Sequence, residues 1–276
     1  MACQTRDDKD HRQLCAKNSL TGNKNTDIAA RDTICLCHIV SVGFRFTQGK
    51  GYLCNVTGFG ANQRGCALVG RIIISLECVA EGAAWLATAE PRFAHALTLT
   101  GPLPLRRQAD GFTSLLDAIV GQQVSVASAN AIWARMEAAG VTDQKVMALA
   151  TDEDLRAVGL SRQKARYGRA LANADINFNA LRDAPDVDVI KTLVAVPGIG
   201  NWTAEIYAMF ALGRADVFAP GDLALQEAAK LLFDLPARPT EKAFRAMAAA
   251  WSPWSSVAAR ILWAYYHIAK SREGIR

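Results

Sequence analysis

Apolar residues recur along most of this chain with helical rather than strand spacing. Phe112, Leu115, Leu116, Ile119 and Val120 follow the i, i+3, i+4, i+7 period of a buried helix face. Gly121-Gln122-Gln123 interrupts that run, and a further helix is predicted over 127–139, carrying Ile132, Trp133 and Met136 and closed by Gly140. Upstream, 77–89 and 91–97 read as two short helices, with Pro91 at a first-turn position, before a break at Gly101-Pro102-Leu103-Pro104. Downstream, Thr142 and Thr151 stand where N-caps belong, and Thr151 opens an acidic first turn, Asp152-Glu153-Asp154. Ser161 caps a basic helix over 162–172, and Asp186 and Asp188 open one that runs into Val196. Helices over 201–212, 223–233, 241–250 and 253–269 complete the series. No convincing strand pair and no fixed repeat is predicted beyond residue 70. The expected fold is all-α, about ten helices with short connections.

Residues 1–68 break this pattern. They mix Asn, Thr, Gly, Cys and basic residues without a helical period. Only 33–40 and 51–57 have the β-branched and aromatic content of short strands. The expected organisation is a poorly ordered N-terminal extension over 1–68 and a helical domain over 69–276. No Met lies between Met1 and Met136, and an apolar run follows Val69. The extension therefore has two readings, a misassigned start and a genuine mobile tail.

Charge follows the same division. The net charge of +5 comprises nine Lys/Arg against five Asp/Glu in 1–68, and 22 against 21 in 69–276. Bulk charge therefore does not announce a nucleic-acid binder, and any such contact in the helical part must come from a local surface. A hydrophobic content of 51% over 276 residues excludes a wholly disordered chain, a collagen and a small disulfide scaffold. No apolar run approaches the ~20 residues of a membrane span. All seven cysteines lie at or before Cys78, and Cys35-Leu36-Cys37-His38 lacks the paired spacing of a four-ligand zinc site. With no apolar signal core near Asp7, Asp8 and Asp10, a reduced, cytoplasmic protein is expected.

The most informative stretch is Val196-Pro197-Gly198-Ile199-Gly200-Asn201-Trp202-Thr203-Ala204. An apolar helix, Pro-Gly-apolar-Gly, and a second helix form a helix-hairpin-helix signature. Glycines let the backbone approach a ligand closely, and the following helix begins with unpaired N–H groups at its positive end. Together they seat a phosphate without Lys or Arg. The plain alternative is a tight turn between packed helices. The next landmark is Val217-Phe218-Ala219-Pro220-Gly221-Asp222, which places Asp222 at a helix start. Taken alone, such an Asp is an N-cap.

In this order the two segments resemble the helix-hairpin-helix family of base-excision DNA glycosylases, nearest its bacterial 3-methyladenine DNA glycosylase II group. Further segments share the resemblance: 118–126, 159–165 and Trp251-Ser252-Pro253-Trp254. It spans roughly 71–272. It implies two helical lobes around a cleft, one holding about 108–210, the other the N- and C-terminal helices. It also implies flipping of a damaged nucleotide from duplex DNA and hydrolysis of its N-glycosidic bond.

Asp222 matches the catalytic carboxylate, which stabilises oxocarbenium character at C1′ and orients water. Bifunctional relatives carry Lys where this chain has Trp202, so the resemblance implies a monofunctional enzyme. Trp202 and Trp263 match aromatic positions of an alkylbase pocket, where π-faces attract a cationic base. For Trp263, plain core is the competing reading. Gln122 and Gln123 match the wedge inserted into the DNA stack. Pro197, Gly198, Ile199, Gly200 and Thr203 match the hairpin that grips the DNA backbone. Arg162, Lys164, Arg166 and Arg169 read as a solvated face rather than a phosphate contact, and His95 and His267 carry no role. No organic cofactor or catalytic metal is implied, though a monovalent cation at the hairpin carbonyls is. Ile206 and Ser255 depart from residues common in the family. The alternatives are a glycosylase for another damaged purine and a non-catalytic, structure-specific DNA-binding module.

Overall fold

The computed structural model describes residues 69–272. The possible strands at 33–40 and 51–57, the Cys35–His38 fragment and the whole extension lie outside them. The described residues form α1 (Leu76–Ala89), α2 (Pro91–Thr100), α3 (Phe112–Gly121), α4 (Val126–Ala138), α5 (Gln144–Leu149), α6 (Asp152–Ala157) and α7 (Arg162–Ala172). They continue with α8 (Phe178–Asp183), α9 (Asp186–Val194), α10 (Asn201–Phe210), α11 (Leu223–Leu232), α12 (Glu241–Ala248) and α13 (Ser255–Arg272). Among them no helix is long and apolar enough to cross a membrane.

Local chemistry sets the boundaries. Thr151 and Asp154 exchange bonds as a capping box, and Ser161 caps α7 through the Lys164 N–H. Several details differ from the expectation. Asp143, not Thr142, caps α5, because its Oδ1 reaches the N–H groups of both Lys145 and Val146. The helix after Thr240 turns 3₁₀ at Ala249–Trp251, and the last begins at Ser255 rather than Pro253. A short helix, α8, was not predicted; Asn177 caps it by accepting from the Ala180 N–H.

The helices pack as two groups. α3, α4, α5, α6, α7, α9 and α10 pack on one another, and α1, α2, α11 and α13 form the second group with α12 and its 3₁₀ turn. This is the expected pair of lobes, the N- and C-terminal helices sharing one. The second lobe centres on Phe93, Phe218, Phe233, Phe244 and Trp251, whose paired ring centroids lie 4.9–6.0 Å apart, mostly edge to face.

The connection from α10 to α11 holds the lobes together. The apolar run after Val69 lies along it: the Ile73 N–H donates to the Gly213 carbonyl (2.7 Å) and the Ala215 N–H to that of Arg71 (2.9 Å). Ile72 and Arg214 form an isolated β-bridge. Arg214, 1% exposed, donates to the carbonyls of Leu181, Arg182 and Ala184 and stands 3.3 Å from Asp186. One buried guanidinium therefore fastens the end of α8 and the start of α9 to this connection. Asp216 accepts from the Ser252 and Ser255 hydroxyls, both at 2.6 Å. Ser255 is thus engaged within the protein.

Candidate active site

The hairpin runs from α9 to α10 through Ala195–Gly200. Val196 and Ile199 are buried, and the Ile199 N–H closes the turn on the Val196 carbonyl at 3.1 Å. Pro197 and Gly200 are exposed. Gly198 requires its residue type: its φ is +96°, and a Cβ there would lie 2.4 Å from Cγ of Tyr167. α7 and the hairpin are therefore in backbone-to-ring contact. At Gly200 nothing approaches within 4 Å of the Cβ position, and no side chain caps α10. The first-turn N–H groups of α10 are left uncapped beside open space, which is what a phosphate seat needs. Thr203 is buried, so its side chain is not part of the exposed hairpin tip.

The break between α3 and α4 abuts the hairpin. The Gln122 side-chain amide donates to the Gly198 carbonyl at 2.9 Å. Gln123 is exposed and takes φ +55°, flanked by the exposed Val124 and Val126. The two glutamines thus divide: Gln122 braces the hairpin and Gln123 projects. Lys164 Nζ donates to the Val120 carbonyl at 2.7 Å, closing the end of α3. Burial pulls the Lys164 amine below its ordinary value. Arg169 is paired with Asp152, and the Arg166 guanidinium lies 5.5 Å from the Tyr167 ring. Lys164 and Arg169 are thus spent on internal bonds, while Arg162 and Arg166 stay exposed.

Asp222 stands where the lobes meet. It is half-buried and caps α11, its Oδ1 accepting from the Leu225 N–H at 3.0 Å. Two indoles converge on the same carboxylate. Trp202 Nε1, from the first turn of α10, donates to Oδ2 at 3.0 Å, and Trp263 Nε1, from α13, donates to Oδ1 at 3.3 Å. A carboxylate offers about four lone-pair sites. Three are taken, and the remaining one lies on Oδ2. The cap therefore occupies Oδ1, and Oδ2 keeps a lone pair. The exposed Leu223 and Trp202 flank the group.

Trp202, Ile206 and Phe210 recur every fourth residue and so share one face of α10. The Phe210 ring lies 5.7 Å from that of Trp263. Trp263 is 9% exposed, so it is both packed in the core and bonded to Asp222. A separate cavity of about 690 Å³ lies between α9, α10 and the 216–218 segment, lined in part by Glu205, Lys191 and Arg245. Neither Asp222 nor the two tryptophans line it. No group of three or more His, Cys, Asp or Glu side chains placed to hold a metal occurs among the described residues.

Sequence reasoning overlooked two residues. Arg214 reads as an ordinary charge in a loop, yet it is the most connected buried cation. Arg260 sits in an apolar run, Val257–Trp263, and is 2% exposed. The signal available for both was a lone arginine within an apolar segment.

Comparison with known proteins agrees with this geometry. Residues 116–254 match the sequence profile of the HhH-GPD superfamily of base excision DNA repair proteins. A crystal structure of DNA-3-methyladenine glycosidase from Bacillus halodurans is 31% identical and superposes with a TM-score of 0.63, covering 69% of this chain and 91% of that one. DNA-3-methyladenine glycosylase 2 of Escherichia coli is 32% identical over 168 residues, 56% of this chain and 57% of its own. A Bacillus subtilis relative is 36% identical over 115 residues, 40% of each chain. The chain thus spans about half the length of these two curated relatives.

Proposed function

We propose that this chain, which belongs to the HhH-GPD superfamily of base excision DNA repair proteins, is a monofunctional DNA glycosylase that removes alkylated purines of the 3-methyladenine type from duplex DNA. The observation that carries the reading is the Asp222 carboxylate, held by two indoles and a helix N-terminus at the lobe junction.

The hairpin grips a backbone phosphate through its uncapped N–H groups. Gln123 fills the space left in the stack when the damaged nucleotide is flipped, a step that costs a few kcal/mol and least for weakened pairs. The base enters beside Trp202, Ile206 and Trp263, and the two indole faces favour an alkylated, cationic purine. As the C1′–N9 bond breaks, its electron pair stays with the base and positive charge grows on the sugar. The free lone pair on Asp222 Oδ2 faces that charge and orients the water that attacks C1′. The product is an abasic site. With Trp202 where an amine would be needed, no Schiff base forms and the strand is not cut.

The reading needs no organic cofactor. A monovalent cation at the hairpin would meet the Val196 and Gly198 carbonyls, each of which accepts one bond and keeps a second lone pair. Such an ion would add positive charge beside the phosphate. The enzyme would work on the chromosome in the bacterial cytoplasm, as a monomer.

The test is base release from methylated duplex DNA, resolving 3-methyladenine from 7-methylguanine, by wild type and Asp222→Asn. Release by wild type alone, without direct strand breaks, is expected. Folded protein that binds DNA with a shallow salt dependence but releases no base would overturn the enzyme in favour of a binding module.

A further inference from the structure

Arg260 is a buried cation with no acidic partner. Its Nη1 donates to the Ser256 carbonyl (2.8 Å) and hydroxyl (2.5 Å), and its Nη2 to the Leu105 carbonyl at 3.2 Å. Nε is buried and has no hydrogen-bond partner. Among the described residues no carboxylate forms a salt bridge with it, and the charged groups that perturb it are Arg106 and Arg107, both exposed and of the same sign. Burial chiefly, and then those two arginines, pull its pKa down to about 10, which leaves it charged at neutral pH. Its Cζ lies 4.8 Å from the Phe210 ring centroid, and that ring lies 5.7 Å from Trp263. The cation therefore packs on Phe210, one ring of the aromatic group that includes Trp263, within roughly 10.5 Å of the Trp263 ring and in a buried region poorly screened by solvent.

We propose that Arg260 is a specificity-determining residue, whose buried charge limits the advantage of cationic lesions over neutral ones. The inference rests on the glycosylase reading. Hydrolysis breaks C1′–N9 with the electron pair leaving on the base, bonds the water oxygen to C1′ and passes the water proton to the departing base or to solvent. The charge on the base falls by one unit and that on the sugar rises by one, so the net charge facing Arg260 stays at one unit for a cationic lesion and at zero for a neutral one. A cationic lesion is repelled by Arg260 both when bound and in the transition state, so its binding is weakened and its cleavage step is little changed. A neutral lesion meets only a small displacement of charge from base to sugar, so neither its binding nor its cleavage is much altered. A unit charge on the order of 10 Å away, at an effective dielectric constant of about 20, is worth roughly tenfold in binding.

The experiment is single-turnover kinetics on duplexes containing 7-methylguanine, which is cationic, or 1,N6-ethenoadenine, which is neutral, for wild type, Arg260→Met and Arg260→Lys. In Arg260→Met the 7-methylguanine half-saturation constant should fall roughly tenfold while its maximal rate stays nearly unchanged. For 1,N6-ethenoadenine both parameters should stay near their wild-type values. Arg260→Lys keeps the charge and should keep the wild-type ratio between lesions. A merely structural role predicts equal losses on both lesions, and that result overturns the proposal. Should Arg260→Met fail to fold, Arg260→Gln, which keeps hydrogen-bonding capacity without the charge, should shift the lesion ratio in the same direction, and an unchanged ratio in it overturns the assignment. Failure of wild type to release either base would sink the glycosylase reading itself and is distinguishable from both.

Discussion

Gly198→Ala isolates the contact between the hairpin and α7. Two costs follow from the geometry. At φ +96° an L-residue is strained by about 1–2 kcal/mol. The new methyl would lie 2.4, 2.6 and 2.7 Å from Cγ, Cδ2 and Cβ of Tyr167. Those atoms are the root of the ring rather than its mobile end, so relief requires moving α7 or the hairpin. Overpacking of that kind adds about 1–3 kcal/mol. The total is about 2–5 kcal/mol, which for a domain of this size lowers Tm by roughly 5–15 °C. Calorimetric melting of wild type, Gly198→Ala, Tyr167→Ala and the double variant separates the terms. The clash vanishes when the ring is removed while the backbone strain remains, so the cycle should return a coupling of about 1–3 kcal/mol. A single variant that melts within about 2 °C of wild type, or a cycle without coupling, refutes the contact. Because the Gly198 carbonyl also accepts the Gln122 amide, DNA affinity should fall more steeply than stability alone explains.

Asp222→Asn should abolish base release while changing Tm little, because Asn caps a helix nearly as well as Asp; a loss of several kcal/mol of stability would show the carboxylate to be structural. Arg214→Leu removes the partner of Asp186 and leaves the carbonyls of Leu181, Arg182 and Ala184 unpaired, for an expected loss of about 3–5 kcal/mol in urea unfolding; a loss under 1 kcal/mol would discount the ion pair. Burial raises the Glu205 carboxyl above its ordinary value, and Arg245 only partly offsets it. A carboxyl with a higher pKa folded than unfolded favours the fold at low pH and loses that contribution as pH rises through the folded value. Glu205→Gln should therefore gain Tm relative to wild type as pH rises above the ordinary carboxylate range, and a pH-independent difference would contradict the sign.

The helices were legible wherever an amphipathic period coincided with a cap. α3 and α7 show this: five buried residues at helical spacing mark the first, and Ser161 marks the start of the second. α8 escaped because six residues cannot display a period, and Asn177, its cap, looks like any loop asparagine. Thr142 misled because neighbouring capping residues compete, and only geometry decides that Asp143 reaches two N–H groups. The isolated bridge at Ile72 and Arg214 depends on residues 142 positions apart, so no local pattern carries it.

The site was legible as types and order of residues, not as bonds. Pro-Gly-Ile-Gly encodes its own geometry, since only glycine takes φ +96° against an aromatic ring at no cost. Asp222 left a choice between cap and reactive group because both need an Asp at a helix start. In the structure the two oxygens are engaged differently. Oδ1 is filled by the Leu225 N–H and the Trp263 indole, and Oδ2 takes one indole and keeps one lone pair. A cap fixes the carboxylate to a rigid helix, and the indoles fix its rotation. The features that make Asp222 look structural are therefore the ones that would hold a reactive oxygen in a single orientation at the junction of the lobes.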